Sequence, residues 1–190
     1  APMFSRDSFV ASVNKQTGWV KAMHVGTTDI ECTTTGTGNN STMTVRCSIN
    51  VVPRYTYWEE PLLEWGISKD ELVARLGEPT SVNDLNSDRY CCWYGDTLTD
   101  ATVTMYYIAW GDLESVVVWS SAVSVEEAHL YIKERYHRED WWEAGYYANT
   151  YAGEDLECED VEVYVGEECG KTMVWYATPC MKIGCPVAEK

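Results

Sequence analysis

The stretch Gly66-Ile67-Ser68-Lys69-Asp70-Glu71-Leu72-Val73-Ala74-Arg75-Leu76-Gly77-Glu78-Pro79 decides the fold class. A Ser68 hydroxyl can accept from the Glu71 backbone N–H while the Glu71 carboxylate reaches back to the Ser68 N–H, the reciprocal capping box that opens a helix. Ile67 and Leu72 flank it as a hydrophobic staple. Leu72, Val73 and Leu76 give an apolar stripe, and Gly77 followed by Pro79 ends it. The spacing predicts a short amphipathic helix beginning at Ser68.

The same signal returns at Val123-Ser124-Val125-Glu126-Glu127, which predicts a second helix running to about Tyr136 with Ala128, Tyr131, Ile132 and Tyr136 on one face. Three strand-like runs follow the first helix, at 89–94, 101–110 and 113–120, the last two joined by a Gly111-Asp112 turn. Three more follow the second, at 141–150, 160–165 and 171–177. Ser124 lies 56 positions after Ser68, Trp175 the same distance after Trp119, and Tyr146 the same after Tyr90. This points to a tandem duplication, with repeat unit one in 59–120 and repeat unit two, carrying a Cys-rich tail, in 121–190. The competing reading is two ordinary α+β segments that share a length. The expected fold is α+β: an antiparallel sheet from two tandem helix-β-β-β units with helices on one face, preceded by a β-rich N-terminal segment, 1–58. A unit this small cannot bury its helix alone, so the two sheets should join or pack.

In the N-terminal segment, Met43, Val45, Cys47, Ile49 and Val51 alternate with polar residues, the period of a half-buried strand. Ile30 and Cys32 have the same spacing upstream, and residues 36–41 are turn chemistry. A hairpin centred between Asn39 and Asn40 would place Cys32 opposite Cys47 and Ile30 opposite Ile49, both pairs facing the core, and a Cys32–Cys47 disulfide is expected. Later in the chain Cys158 could pair with Cys180 across a hairpin end, or Cys180 with Cys185. Vicinal Cys91 and Cys92 must point to opposite faces of one strand, so at most one is buried in the sheet core.

Composition narrows the partners. The chain has 190 residues with 14 Lys+Arg against 30 Asp+Glu, a net charge of -16, which disfavours nucleic acid and anionic membranes. No window approaches the roughly 20 apolar residues of a membrane span. The charge is uneven: residues 1–58 hold five bases and three acids, the remainder nine bases and 27 acids. Eight cysteines, an even number with no C-x-x-C, predict an oxidising location, secreted, periplasmic or surface-exposed. The opening Ala1-Pro2-Met3-Phe4 carries no leader, so a targeting peptide is expected to have been removed, and a lipid-anchored precursor would look the same after processing.

Residues 66–80 together with the aromatic run 90–94 resemble the G-x-S/T-x-x-x-V-x-x-x-x-G-x-P segment of small outer-membrane lipoproteins of the barrel-assembly machinery. The chain is also similar to the β-lactamase inhibitory proteins, which are tandems of two such units, and to uncharacterised secreted lipoproteins of anaerobic bacteria that share the Trp-Gly-x-Ser opening, here Trp65-Gly66-Ile67-Ser68. The resemblance covers about 30 residues closely and, through the repeat, about 115 loosely. It implies a non-catalytic envelope protein that works by binding another protein. Its motif specifies a capped helix and a turn, not chemistry.

Catalytic and metal motifs are weak. Ser12-Val13-Asn14-Lys15 matches Ser-x-x-Lys but lacks its partner motifs. His137-Arg138-Glu139-Asp140 stands without a glycine-rich loop. The three histidines, His24, His129 and His137, are not within helical reach of one another. Asp84-Leu85-Asn86-Ser87-Asp88 begins like a calcium loop, yet Arg89 replaces the required Gly, so a polar loop between helix and strand is expected. The acidic residues of 154–162 read as a solvated face, and a glycosidase pair of carboxylates cannot be read from spacing. No cofactor and no metal are expected.

The most suggestive feature is aromatic: Trp and Tyr total 22 against 2 Phe. Adjacent rings such as Trp141-Trp142, Tyr146-Tyr147 and Tyr106-Tyr107 must straddle their strand, so a sheet packed on helices through one face leaves rings on the other. Trp93, Tyr107, Trp110, Trp119, Trp141, Trp142 and Tyr147 are the expected binding residues. They predict a non-enzymatic protein-binding surface, with a carbohydrate-binding module and a small secreted hydrolase as alternatives. A second layer covering the face is the competing structural reading.

Overall fold

The structure, a computed structural model, describes residues 2–34, 42–86, 88–139, 145–151, 153–157 and 159–179. The chain forms two compact units, Ala1–Thr56 with Lys133–Arg135, and Tyr57–Ile132 with Tyr136–Lys190. Its class is α+β, two helices and antiparallel sheets among the described residues. No helix of the described residues is long and apolar enough to cross a membrane.

The first unit contains β1 (Met3–Ser5), β2 (Ala11–Val13), β3 (Val20–Ala22), β4 (Gly26–Thr34) and β5 (Met43–Val51). β4 is the centre of a three-stranded sheet ordered β1-β4-β5, and β2 pairs with β3. Val10, Ala11, Thr28 and Ile30 are buried. Glu31 is buried as well, and Nε of both Arg6 and Arg46 lies 2.6 Å from its Oε1, so its charge is compensated.

Two expectations for this unit are corrected. Cys32 stands opposite Val45 and Cys47 opposite Ile30, so the hairpin register differs by two residues from the expected one, and Ile49 faces Thr28. Cys32 and Cys47 are diagonal neighbours on one face and both are free thiols. Diagonal Cα atoms are about 7–8 Å apart, beyond the usual reach of a disulfide. A two-residue slip leaves every side chain on the same face, which is why alternation alone does not fix this register. Nor does β5 face the core: Cys47 is exposed, Met43 is 64% and Val45 59% exposed. The expected turn at 36–41 and the late cysteines Cys158, Cys180 and Cys185 lie outside the described residues.

The second unit holds α1 (Lys69–Leu76), β6 (Ser81–Asn86), β7 (Arg89–Tyr94), β8 (Thr102–Ala109), β9 (Asp112–Ser120), α2 (Val125–Lys133), β10 (Arg138–Glu139), β11 (Tyr146–Ala148), β12 (Glu162–Glu168) and β13 (Lys171–Ala177). Its strands make one antiparallel sheet ordered β10-β11-β12-β13-β9-β8-β7-β6. Both capping boxes are formed. Ser68 N–H donates to Glu71 Oε2 at 2.9 Å and Glu71 N–H to Ser68 Oγ at 3.3 Å. The Ser124 and Glu127 pair repeats this at 2.9 and 3.2 Å. Gly77, at φ 84, donates its N–H to the Val73 carbonyl and ends α1.

Among the described residues four strands follow each helix, not the three expected. The extra ones are edge strands: β6, exposed along its whole length, and the two-residue β10. Of the polar loop expected at 84–88, Asp84, Leu85 and Asn86 are the end of β6, and backbone pairing to β7 rather than an apolar pattern makes them a strand. The hairpin turn of β8 and β9 is Trp110-Gly111, at φ 52 and 91, with Asp112 already paired to Ala109. Its counterpart between β12 and β13 is Cys169-Gly170, at φ 52 and 71. Two successive positive φ values are what a two-residue hairpin needs to match strand twist.

Candidate functional site

In an antiparallel ladder paired residues share a face, so the registers sort the large sheet into two sides. One row runs Val82, Cys92, Tyr106, Val116, Tyr176, Val163, Tyr147 and Glu139. From Cys92 to Tyr147 every member is buried, none above 4% exposed. Helical residues touch this side. His129 Nδ1 and Tyr147 Oη share a hydrogen bond of 2.5 Å, and Tyr94 Oη donates to the Gly77 carbonyl at 3.0 Å. Lys69 Nζ stands 4.9 Å from the centre of the Tyr90 ring. The segment before α1 crosses the same side, where Leu62 N–H donates to Tyr106 Oη and the Trp58 ring lies 4.4 Å from Tyr131. Burial raises the phenol pKa of Tyr106 and Tyr147, and that of Tyr94 to about 12, so all three stay protonated at neutral pH.

The opposite side carries the row Ser81, Trp93, Met105, Val117, Trp175, Tyr164 and Tyr146. It crosses seven strands, about 29 Å at roughly 4.8 Å per strand. Apart from exposed Ser81 and buried Val117, its members are half-buried. Trp119 pairs with Val103 and Met173 one step along, and Tyr107 pairs with Cys91 one step the other way. The rings rest on one another: Trp93 and Trp119 stack at 5.5 Å, Tyr146 and Tyr164 meet at 4.8 Å. Gly166 makes room for this, because a Cβ there would fall 2.6 Å from Tyr164 Oη. Trp119 Nε1–H donates to Glu168 Oε2 at 3.3 Å. The cations nearby are engaged, Arg89 over the Trp110 ring at 4.7 Å and Lys171 Nζ on the Thr97 carbonyl at 2.9 Å. What the face offers is flat apolar area with ring edges and carboxylates.

Of the expected binding residues, the structure brings Trp93, Tyr107 and Trp119 together on this side. Trp110 stands apart in the β8–β9 turn, 65% exposed. Tyr147 does not belong with them: it is 1% exposed, on the helix-contacting side. Its neighbour Tyr146 takes the opposite side instead, because successive strand residues alternate. Trp141 and Trp142 lie outside the described residues. Trp175, Tyr164, Met105 and Met173 were missed by sequence reasoning. For all four only the strand registers supply a signal: the hairpin turns at Gly111 and Gly170 are 59 residues apart, so the 56-residue spacing of Trp119 and Trp175 does not make them equivalent positions. Cys92 is fully buried and Cys91 half-buried on the opposite side, as expected of vicinal strand residues. Among the described residues no three His, Cys, Asp or Glu gather in a metal-binding group.

No family model matches the chain, and no curated protein sequence matches it. A solved structure of a cysteine-rich secretory protein from Staphylococcus aureus is similar at a TM-score of 0.30 and 15% identity, over 60% of this chain and 45% of that one. The chain thus spans less than half the length of that protein, and a likeness at this level carries no argument about fold or function.

Proposed function

We propose that this chain is a non-enzymatic binding protein of the secreted or cell-envelope space, whose second unit engages a protein partner through the open aromatic face. The observation that carries the proposal is the Trp93–Met105–Val117–Trp175–Tyr164–Tyr146 row, set on the side of the sheet away from the helix contacts. In this reading α1 with β6–β9 and α2 with β10–β13 are tandem units, their helices on one face. Joined through β9 and β13, they leave the second face free along its length, the arrangement implied by the resemblance to barrel-assembly lipoproteins and β-lactamase inhibitory proteins.

Tyr and Trp concentrate binding energy at protein interfaces, where Met is also enriched, and rings already stacked on neighbours lose little side-chain freedom on binding. With 27 acids against nine bases after residue 58, the partner is a protein with a basic contact surface, and its association rate falls with salt. A lipid anchor on the precursor would hold this face near the membrane where the partner works.

A photo-reactive amino acid at position 105, compared with one at Leu98, which is 91% exposed in a loop, tests the proposal. In native envelope extract, position 105 should capture a basic protein in a salt-sensitive manner, and Trp175→Ala should abolish the capture without unfolding the chain. Equal capture from both positions, or capture insensitive to Trp175→Ala, would sink it. Binding on a glycan array that requires Trp93 and Trp175 would replace it with the carbohydrate-binding reading.

A further inference from the structure

The first unit ends its three-stranded sheet in β5, an edge strand nine residues long. Natural edges are usually blunted by Lys, Pro or a bulge. β5, Met43-Thr44-Val45-Arg46-Cys47-Ser48-Ile49-Asn50-Val51, has no Pro and no Lys, and its register against β4 is unbroken. Its single charge, Arg46, is tied to Glu31. The direction of its backbone groups follows from β4. Arg6 N–H donates to the Asp29 carbonyl and Thr33 N–H to the Pro2 carbonyl, so Asp29 and Thr33 point their backbone groups away from β5. Thr28, Ile30, Cys32 and Thr34 therefore point theirs at it, and so do their partners Ile49, Cys47, Val45 and Met43 in return. The Thr34 hydroxyl, 3.3 Å from both the N and O of Met43, agrees. Among the described residues no strand takes the outward N–H and C=O groups of Thr44, Arg46, Ser48 and Asn50.

We propose that β5 is a self-association site, pairing antiparallel with β5 of a second copy about a two-fold axis through Cys47. The strand is its own complement about that residue. Met43 meets the second copy's Val51 and Val45 its Ile49 on one face, while Thr44 meets Asn50 and Arg46 meets Ser48 on the other. Apolar residues meet apolar and polar meet polar; no like charges stand directly opposite. Four outward-pointing residues on each strand pair reciprocally, supplying about eight backbone hydrogen bonds. The partner is a second copy because only this sequence run backwards gives that match, and because a two-fold interface is the ordinary closed solution. Met43 and Val45, exposed by more than half, are then covered. Cys47 meets its own copy at a non-hydrogen-bonded position, where Cα atoms lie about 4.5 Å apart, within disulfide reach.

Sedimentation equilibrium and mild oxidation with diamide test this on the whole chain. Diamide accepts two electrons and two protons from the two Cys47 thiols, its N=N bond becoming a hydrazine as one S–S bond forms. The expected result is twice the chain mass in solution and a reducible cross-link mapped to Cys47. Cys47→Ser should lose the cross-link and keep the mass. Ser48→Pro removes only an outward N–H, leaving the β4 ladder intact, and should give single-chain mass. A wild-type chain that stays single across a hundredfold concentration range overturns the proposal. So does a folded Ser48→Pro variant as dimeric as the wild type, or a cross-link that survives Cys47→Ser.

Discussion

Trp93 and Trp119 stack with ring centroids 5.5 Å apart and planes inclined by 22°, although β8 runs between their strands. They meet because Met105 pairs with Trp93 and Val103 with Trp119, two same-face neighbours on β8 that bring the indoles together diagonally. The contact is therefore a consequence of the β7–β8–β9 register. A double-mutant cycle with Trp93→Ala and Trp119→Ala, measured by denaturant unfolding, should show a coupling of about 0.5–1.5 kcal/mol. Strict additivity would mean that the rings do not touch in solution.

Two glycines of the same region should respond differently to alanine. At Gly166 the atoms nearest an added methyl all belong to the Tyr164 phenol, which can swing aside, so Gly166→Ala should change stability by less than about 1 kcal/mol. The displaced Tyr164 would open its 4.8 Å contact with Tyr146 and alter the open face, which the near-ultraviolet circular dichroism should report. At Gly145 the methyl would lie 2.7 Å from the Val165 carbonyl oxygen at φ 97, and that backbone is held by the Val165 N–H bond to the Gly145 carbonyl. Gly145→Ala should cost at least about 2 kcal/mol. Equal costs would show that one of the two environments is misplaced.

The sequence made some of this legible and hid the rest, for physical reasons. Both helix starts were readable because a capping box is a local device, complete within four residues. The inner strands of the large sheet were readable because buried strands must be apolar, as Val116, Val117 and Val118 are. β6 was hidden because an exposed edge strand needs only a partner's backbone. The β4–β5 register was hidden because a slip of two preserves both faces. Of the candidate site, the excess of Trp and Tyr was visible in the composition. Which ring of a pair such as Tyr146-Tyr147 faces outward depends on strand pairing between distant residues, up to Ala177 with Ser115, and no local pattern carries that.

The second helix cap gives a pH dependence with a definite sign. Hydrogen bonds from the Ser124 backbone, then its side chain, hold the Glu127 carboxyl below its ordinary value of 4.5. A depressed carboxyl pKa in the folded state contributes stability that is full above the ordinary value and is lost as pH falls through the folded one. Glu127→Gln should therefore lower the melting temperature at neutral pH, and the gap from wild type should close in melts below about pH 4. A gap that widens on acidification would reverse the sign and remove the cap from the account of α2.

The division of the large sheet into a covered and an open side can be read through its vicinal thiols. Cys92 is fully buried beside Tyr106, and burial raises its pKa; Cys91, one residue earlier, points to the aromatic side, half-buried and also raised by burial. Alkylation needs the thiolate and access, so iodoacetamide should label exposed Cys169 first and Cys91 more slowly. Cys92 should react only as fast as the sheet opens, its labelling rate rising with denaturant in step with unfolding. If Cys92 reacted as readily as Cys91 in the native chain, the side that includes Tyr106, Val116 and Tyr176 would not be the covered one, and the opposite row of rings would lose its standing as the free face.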